Sequence, residues 1–146
     1  MTIDTIADSI AAAAHAGQTD KAGNDYITHP RRVAARVTPQ TSENRAAALL
    51  HDVLEDTPVT AEDLAAAGIP DGVIGAVRLL TRRDDVPSEE YYAAIRTDPI
   101  ALAVKLADIG DNTDPSRLAL LDSATQDRLR AKYAAALAAL GVPPGA

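Results

Sequence analysis

The sequence predicts an all-α fold, a bundle of helices joined by short loops, and three observations carry that prediction. The 146-residue chain has no Phe, no Trp and only four Tyr, so its core must be built from Ala, Leu, Ile and Val. Small side chains let helix backbones approach closely, and Ala is the strongest helix former. Apolar residues recur at three- and four-residue intervals, as in Ala46, Leu49, Leu50, Val53 and Leu54, which is the helical period. Gly, Pro and short polar capping residues punctuate these windows at the places where helices start and stop. The length fits one domain with one proper core, read here as residues 1–146.

The first helix is expected from about Thr5 to His15, stopping at Gly17, followed by a polar loop from Gln18 to Asp25. A second begins at His29-Pro30, with Pro at the first helical position, and ends before Pro39. The third runs from about Glu43 to Glu55. Thr60 to Asp63 is a weaker start, stopped at Gly68. Helices follow from Asp71 to Leu80 and from Ser88, read as the cap of Glu89-Glu90-Tyr91-Tyr92. Asp98-Pro99 is a stronger start, a good N-cap residue with Pro behind it, for a helix running towards Asn112. Asp114-Pro115 opens a short turn, and a long last helix from Ser123 to Leu140 ends at Gly141 and two prolines.

Charge narrows the function classes. The formal net charge is −7, from 14 basic and 21 acidic residues. Such a chain gains nothing from counterion release, so nucleic acid is not an expected partner. Clustered carboxylates suit an anionic phosphate substrate only when a divalent cation sits between them. With no Cys, disulfides, thiolate metal sites and Cys nucleophiles are excluded. No apolar run approaches the roughly 20 residues that span a bilayer, and the acidic N-terminus does not read as a signal peptide. No membrane association is expected, and the cytoplasm is the expected location.

Chemistry concentrates in Ala48 to Thr57, where an apolar helix runs into His51, Asp52, Glu55 and Asp56. On a continuous helix His51 and Glu55 share one face, and Asp52 and Asp56 another, offset by about 100°. All four could then line one edge of a pocket, or simply mark a solvated helix end. Imidazole with carboxylate oxygens suits manganese, iron or zinc better than the all-oxygen preference of magnesium and calcium. His29 stands at a helix start. Asp108 interrupts the apolar run from Ala101 to Ala107, so it needs an ion or a partner such as Lys105, three residues back.

Taken together, these segments resemble the HD superfamily of metal-dependent phosphohydrolases, and within it the hydrolase domain of the RelA/SpoT-like alarmone hydrolases. The resemblance rests on Ala14 to Gln18, on Tyr26-Ile27-Thr28-His29-Pro30 through Ala34, on Ala48 to Thr57, and on Val104 to Asp108 with Asn112. It implies a single HD-domain helical bundle holding one divalent ion, manganese by family habit, with iron(II), zinc and cobalt(II) as alternatives. It assigns His29, His51, Asp52 and Asp108 as the metal ligands, and Glu55 and Asp56 as the pair that activates the attacking water. Lys21 and Asn112 become substrate-binding residues, although Asn112 reads equally well as a helix-ending residue.

The implied activity is hydrolysis of a phosphate or pyrophosphate ester of a small phosphorylated nucleotide. The first substrate it points to is guanosine 3′,5′-bis(diphosphate), losing its 3′-pyrophosphate. A nucleotide phosphomonoesterase, or a sensor that binds a nucleotide without turning it over, are the alternatives. Two departures bear on substrate. An Arg-Lys pair usual in alarmone hydrolases is here Asp20-Lys21, and Asp cannot stack on a base as a guanidinium does. The Arg that usually follows the metal Asp is here Ile109. Regions for alarmone synthesis and regulation are absent from the sequence, which reads as a stand-alone hydrolase. His15 is read as a buried supporting residue, and Arg31, Arg32, Arg82 and Arg83 as solvated surface charge.

Overall fold

The computed structural model describes residues 2–142; the two prolines expected to close the last helix lie outside them. Ten helices occur in the described residues: α1 (Ile3–Ala14), α2 (Thr28–Arg36), α3 (Ser42–Leu50), α4 (Val53–Asp56), α5 (Ala61–Ala66), α6 (Asp71–Leu80), α7 (Ser88–Arg96), α8 (Pro99–Asn112), α9 (Pro115–Leu118) and α10 (Ser123–Ala139). Among these residues there is no strand, only a single antiparallel bridge between Thr19 and Asp25 inside the α1–α2 loop. The all-α prediction holds.

Helix α3 is the axis of the fold. Ala46, Ala47, Ala48 and Leu50 are fully buried and Leu49 nearly so, a pattern apolar on all sides that suits a central helix. It touches α1, α2, α6 and α8. Helix α1 lies against it through Ala7 and Ala11, both without exposed surface, where the absence of longer side chains permits the close approach. Helices α6, α7 and α8 close the other side with Val73, Val77, Ile95, Ala101 and Val104.

The punctuation signals behave as their chemistry requires. Thr60 and Asp63 form a reciprocal capping box at the start of α5. Its end is set by Gly68 at φ +97°, which lets Ile69 N donate to Leu64 O at 3.1 Å and brings buried Ile69 against Leu64. Asp98 caps α8, its Oδ1 accepting from Ile100 N at 2.9 Å and Ala101 N at 3.0 Å. Asp98→Ala leaves both amides unpaired and is expected to lower stability by about 0.5–2 kcal/mol, read as a lower urea midpoint at unchanged slope.

Several expected boundaries shift, α1 for instance beginning at Ile3 rather than Thr5. Helix α2 begins at Thr28, so Pro30 is its third residue rather than its first. That position is tolerated because the first four amides of a helix have no intrahelical acceptor. Ser88 is the first residue of α7, with Pro87 in the capping position. Most consequentially, the single helix expected from Glu43 to Glu55 is two, broken at His51 and Asp52. At the break the Ala48 carbonyl accepts from the His51 imidazole Nδ1 at 2.6 Å and from His51 N at a long 3.5 Å. A side chain thus takes over a carbonyl that the helical ladder would use, and Asp52 relaxes to ψ −2°.

Candidate metal centre

Three elements converge on one buried point: the start of α2, the α3–α4 break and the middle of α8. They deliver His29, His51 and Asp108, whose ligating atoms all lie within 4.8 Å of one another. His29 and His51 are 7 % and 4 % exposed, and Asp108 is 9 % exposed. A helix break places His51 here, because a kinked α3 end points its side chain back into the bundle. Asp108 is carried by a buried stripe of α8, between Ala107 and Ile109.

The two imidazoles are oriented alike. His51 donates from Nδ1 to the Ala48 carbonyl, which leaves Nε2 facing inward. That atom is 3.0 Å from Asp52 Oδ2 and 3.5 Å from Asp108 Oδ1. Neither contact is a hydrogen bond, however, so Nε2 is buried without a partner of that kind. His29 donates from Nδ1 to Asp111 Oδ2 at 2.7 Å and turns Nε2 towards Asp108 Oδ1 at 3.0 Å. In each ring the outer nitrogen is committed to an acceptor and the inner one faces carboxylate, the arrangement of metal-ligating histidines with their outer-sphere partners.

Electrostatics agree with the geometry. Burial works against a charged His51, yet Asp52 and Asp108 outweigh it and raise its pKa well above the usual imidazole value. Burial likewise favours a neutral Asp108, but the His29 and His51 imidazoles beside it and the charge of Lys105 hold its pKa well below normal. Asp52, despite its burial, is held at about 2 by His51 and by the Tyr26 hydroxyl, which donates to Asp52 Oδ2. The pocket therefore stabilises positive charge at its centre and keeps its carboxylates ionised. An orphaned inward nitrogen among such carboxylates fits a divalent cation, and the mixed N/O donor set fits manganese, iron(II), cobalt(II) or zinc.

The remaining expected residues are spread around this centre. Asp52 borders it directly. Asn112 ends α8, as one of its two readings expected, and its Nδ2 donates to Asp108 Oδ1 at 3.2 Å. Lys105 Nζ is 3.5 Å from Asp108 Oδ2, so the alternative partner of Asp108 is also present. Because of the helix break, Glu55 does not share a face with His51: it is exposed and its Oε1 accepts from Arg82 N at 2.6 Å. Asp56 is exposed but electrically part of the site. Its pKa is raised by partial burial and by Asp52, against the opposing pull of His15 and His51. Lys21 is exposed on the α1–α2 loop and forms no ion pair among the described residues.

The sequence did not single out Asp111, and it gave Tyr26, His15 and Arg32 no partners at the site. Tyr26 bonds Asp52 and lies against the His15 ring, centroids 4.8 Å apart, so His15 supports the site from behind, with Nδ1 3.0 Å from Gln18 Oε1. Asp111 is 1 % exposed and binds both His29 and Arg32. Arg32, expected to be solvated, is thus committed to the interior; Arg82 instead lies over the Tyr91 ring at 4.5 Å. The signal for Asp111 was its position three residues after Asp108, on the same buried stripe.

Comparison with known proteins places this architecture. The HD domain family profile matches residues 7–113, and the chain belongs to that family. Among its relatives is a guanosine-3′,5′-bis(diphosphate) 3′-pyrophosphohydrolase of Haemophilus influenzae, 40 % identical over 111 residues, covering 68 % of this chain and 16 % of that protein. The bifunctional (p)ppGpp synthase/hydrolase SpoT of Escherichia coli is 36 % identical over a stretch of the same length. This chain therefore spans about a sixth of the length of these relatives. A solved structure described as a metazoan ortholog of SpoT that hydrolyses ppGpp superposes with TM-score 0.75 at 24 % identity, over 96 % of this chain and 86 % of that one. That likeness bears on the fold. No helix of the described residues is long and apolar enough to cross a membrane.

Proposed function

We propose that residues 1–146 act as one catalytic domain that hydrolyses a phosphate or pyrophosphate ester of a nucleotide, with removal of the 3′-pyrophosphate from guanosine 3′,5′-bis(diphosphate) as the leading reaction. The observation that carries the reading is the buried, unpaired Nε2 of His51 facing Asp52 and Asp108. Relatives named as pyrophosphohydrolases of that alarmone supply the substrate class. His29, His51, Asp52 and Asp108 would hold the ion, manganese first. When bound, a divalent ion supplies Lewis acidity towards a phosphoryl oxygen and lowers the pKa of an adjacent water.

The chain's own residues do the rest. Asp111 and the Ala48 carbonyl orient the two imidazoles. Tyr26, Lys105 and Asn112 fix the two ligand carboxylates, so that little rearrangement is needed when substrate arrives. Asp56, with Glu55 beside it, accepts a proton from the attacking water; its raised pKa moves it in the direction a general base needs. Lys21, free on its loop, meets the substrate phosphates. Purified protein given manganese and guanosine 3′,5′-bis(diphosphate) is expected to release pyrophosphate and guanosine diphosphate.

One observation favours a second reading, a nucleotide phosphomonoesterase. Asp20, which stands where a base-stacking Arg is usual, turns its carboxylate into its own loop, where Oδ1 accepts from Ala22 N and Asn24 N, both at 2.9 Å. It is a loop-forming residue and reads no base. Base stacking is typically worth about 1–3 kcal/mol, so guanosine and adenosine alarmones are expected to differ by no more than about tenfold in kcat/KM. A strong guanine preference would show that another residue reads the base. Release of orthophosphate from nucleoside monophosphates, with no pyrophosphate from the alarmone, would establish the second reading.

A further inference from the structure

We infer that Asp111 is a positioning residue for the metal centre: it fixes the His29 ring so that Nε2 is the nitrogen offered to the ion, and Arg32 in turn fixes Asp111. The inference deepens the proposed function, since it rests on His29 being a ligand. Carboxylates only accept hydrogen bonds, so the 2.7 Å contact between Asp111 Oδ2 and His29 Nδ1 requires a proton on Nδ1. With that proton in place, Nε2 can present its lone pair where Asp108 Oδ1 lies 3.0 Å away.

Asp111 is held rigidly enough for the task. At 1 % exposed it has no room to rotate towards water. Arg32 Nε donates to both of its oxygens, at 3.0 and 3.2 Å, and the Nε atoms of Arg36 and Arg117 stand 3.9 Å from Oδ1 and Oδ2 respectively. Three guanidinium groups around one buried carboxylate keep it an anion, and an anion is the stronger acceptor for an imidazole N–H. The same bonds join α2 to α8, so a purely architectural role has to be separated from a positioning one.

Zinc serves as a diamagnetic probe for that separation. Zinc affinity is measured by competition titration on wild type, Asp111→Ala, Asp111→Asn, Arg32→Gln and His29→Ala, with folding of each checked by circular dichroism. The zinc-loaded proteins are then compared by nitrogen-15 NMR of their histidine rings. Wild type should show His29 with a slowly exchanging proton on Nδ1 and metal on Nε2. Asp111→Ala should lose that proton signal and weaken zinc by roughly 10–100-fold, as removal of such partners typically does. Asp111→Asn, which keeps an acceptor oxygen and the size, should recover part of both, and covers the case in which the Ala variant does not fold.

Arg32→Gln should fall between wild type and Asp111→Ala. If Asp111→Asn and Arg32→Gln fold and both readouts match wild type, Asp111 is architectural and the inference is overturned. If His29→Ala binds zinc as wild type does, the ligand assignment itself fails, which is a different result.

Discussion

His51→Ala and Asp108→Ala are each expected to leave a folded protein that no longer retains metal. Wild type purified in the presence of manganese should carry about one equivalent per chain, because this donor set closes one site. Either truncation removes one of the three side chains of the candidate cluster, and it leaves the remaining buried polar groups facing a hole. Turnover should fall by on the order of 10⁴-fold or more, since a bound ion is what brings a water from a pKa of 15.7 to about 7. Both positions are buried, so some loss of stability accompanies the change, and thermal unfolding without metal separates the two effects. In wild type, added manganese should raise the midpoint; in the variants it should not, because only a ligand that binds the native state stabilises it. Full metal occupancy in both variants would sink the assignment.

The residues of the candidate centre were legible because each carries its own local anomaly. His51-Asp52 ends an apolar helix, Asp108 interrupts one, and His29 stands in a Tyr-Ile-Thr-His-Pro run. Polar groups set into apolar stretches must find partners on folding, so they can be found without knowing where the chain goes. Helix starts were legible for a similar reason, with Asp98-Pro99 and Asp114-Pro115 falling where α8 and α9 begin. The break at His51 was not. It depends on whether one carbonyl, that of Ala48, is taken by the next turn of backbone or by an imidazole, and the periodicity of Leu49, Leu50, Val53 and Leu54 is the same either way.

Asp111 was hidden by distance of another kind. Its partners His29 and Arg32 lie 82 and 79 residues away in sequence, and the helical period of α8 alone does not say which side chain meets it. The paired arginines show how weak a local reading of charge is. Adjacent Arg31 and Arg32 look equivalent, yet Arg31 bonds surface Asp8 at 2.9 Å while Arg32 reaches Asp111, the carboxylate behind His29. A rotation of about 100° between neighbours on α2 separates an exposed ion pair, worth little to stability, from one tied to the site.

Glu55 and Asp56 are where the sequence reading and the geometry pull furthest apart, and their variants carry the second large effect. Adjacent in sequence, they meet different surroundings: Glu55 Oε1 accepts the Arg82 amide, whereas the ionisation of Asp56 responds to Asp52, His15 and His51. Asp56→Asn keeps the shape and removes the basic oxygen. It is expected to retain metal and to lose about 10²- to 10⁴-fold in turnover, the usual contribution of a positioned general base. Glu55→Gln is informative because an amide oxygen can still accept from Arg82, so the tether between α4 and the end of α6 survives while the charge goes. A loss of about 10²-fold or more in this variant, with metal retained, would make Glu55 a partner in activating the water. A near-wild-type rate would leave that work to Asp56 and make Glu55 the residue that fixes where α4 sits. Single-turnover hydrolysis at saturating manganese, with metal content measured on the same samples, separates these outcomes. If either variant loses metal and activity in parallel, its side chain belongs to the support of the ion, and the proposed division between holding the metal and moving the proton fails at that residue.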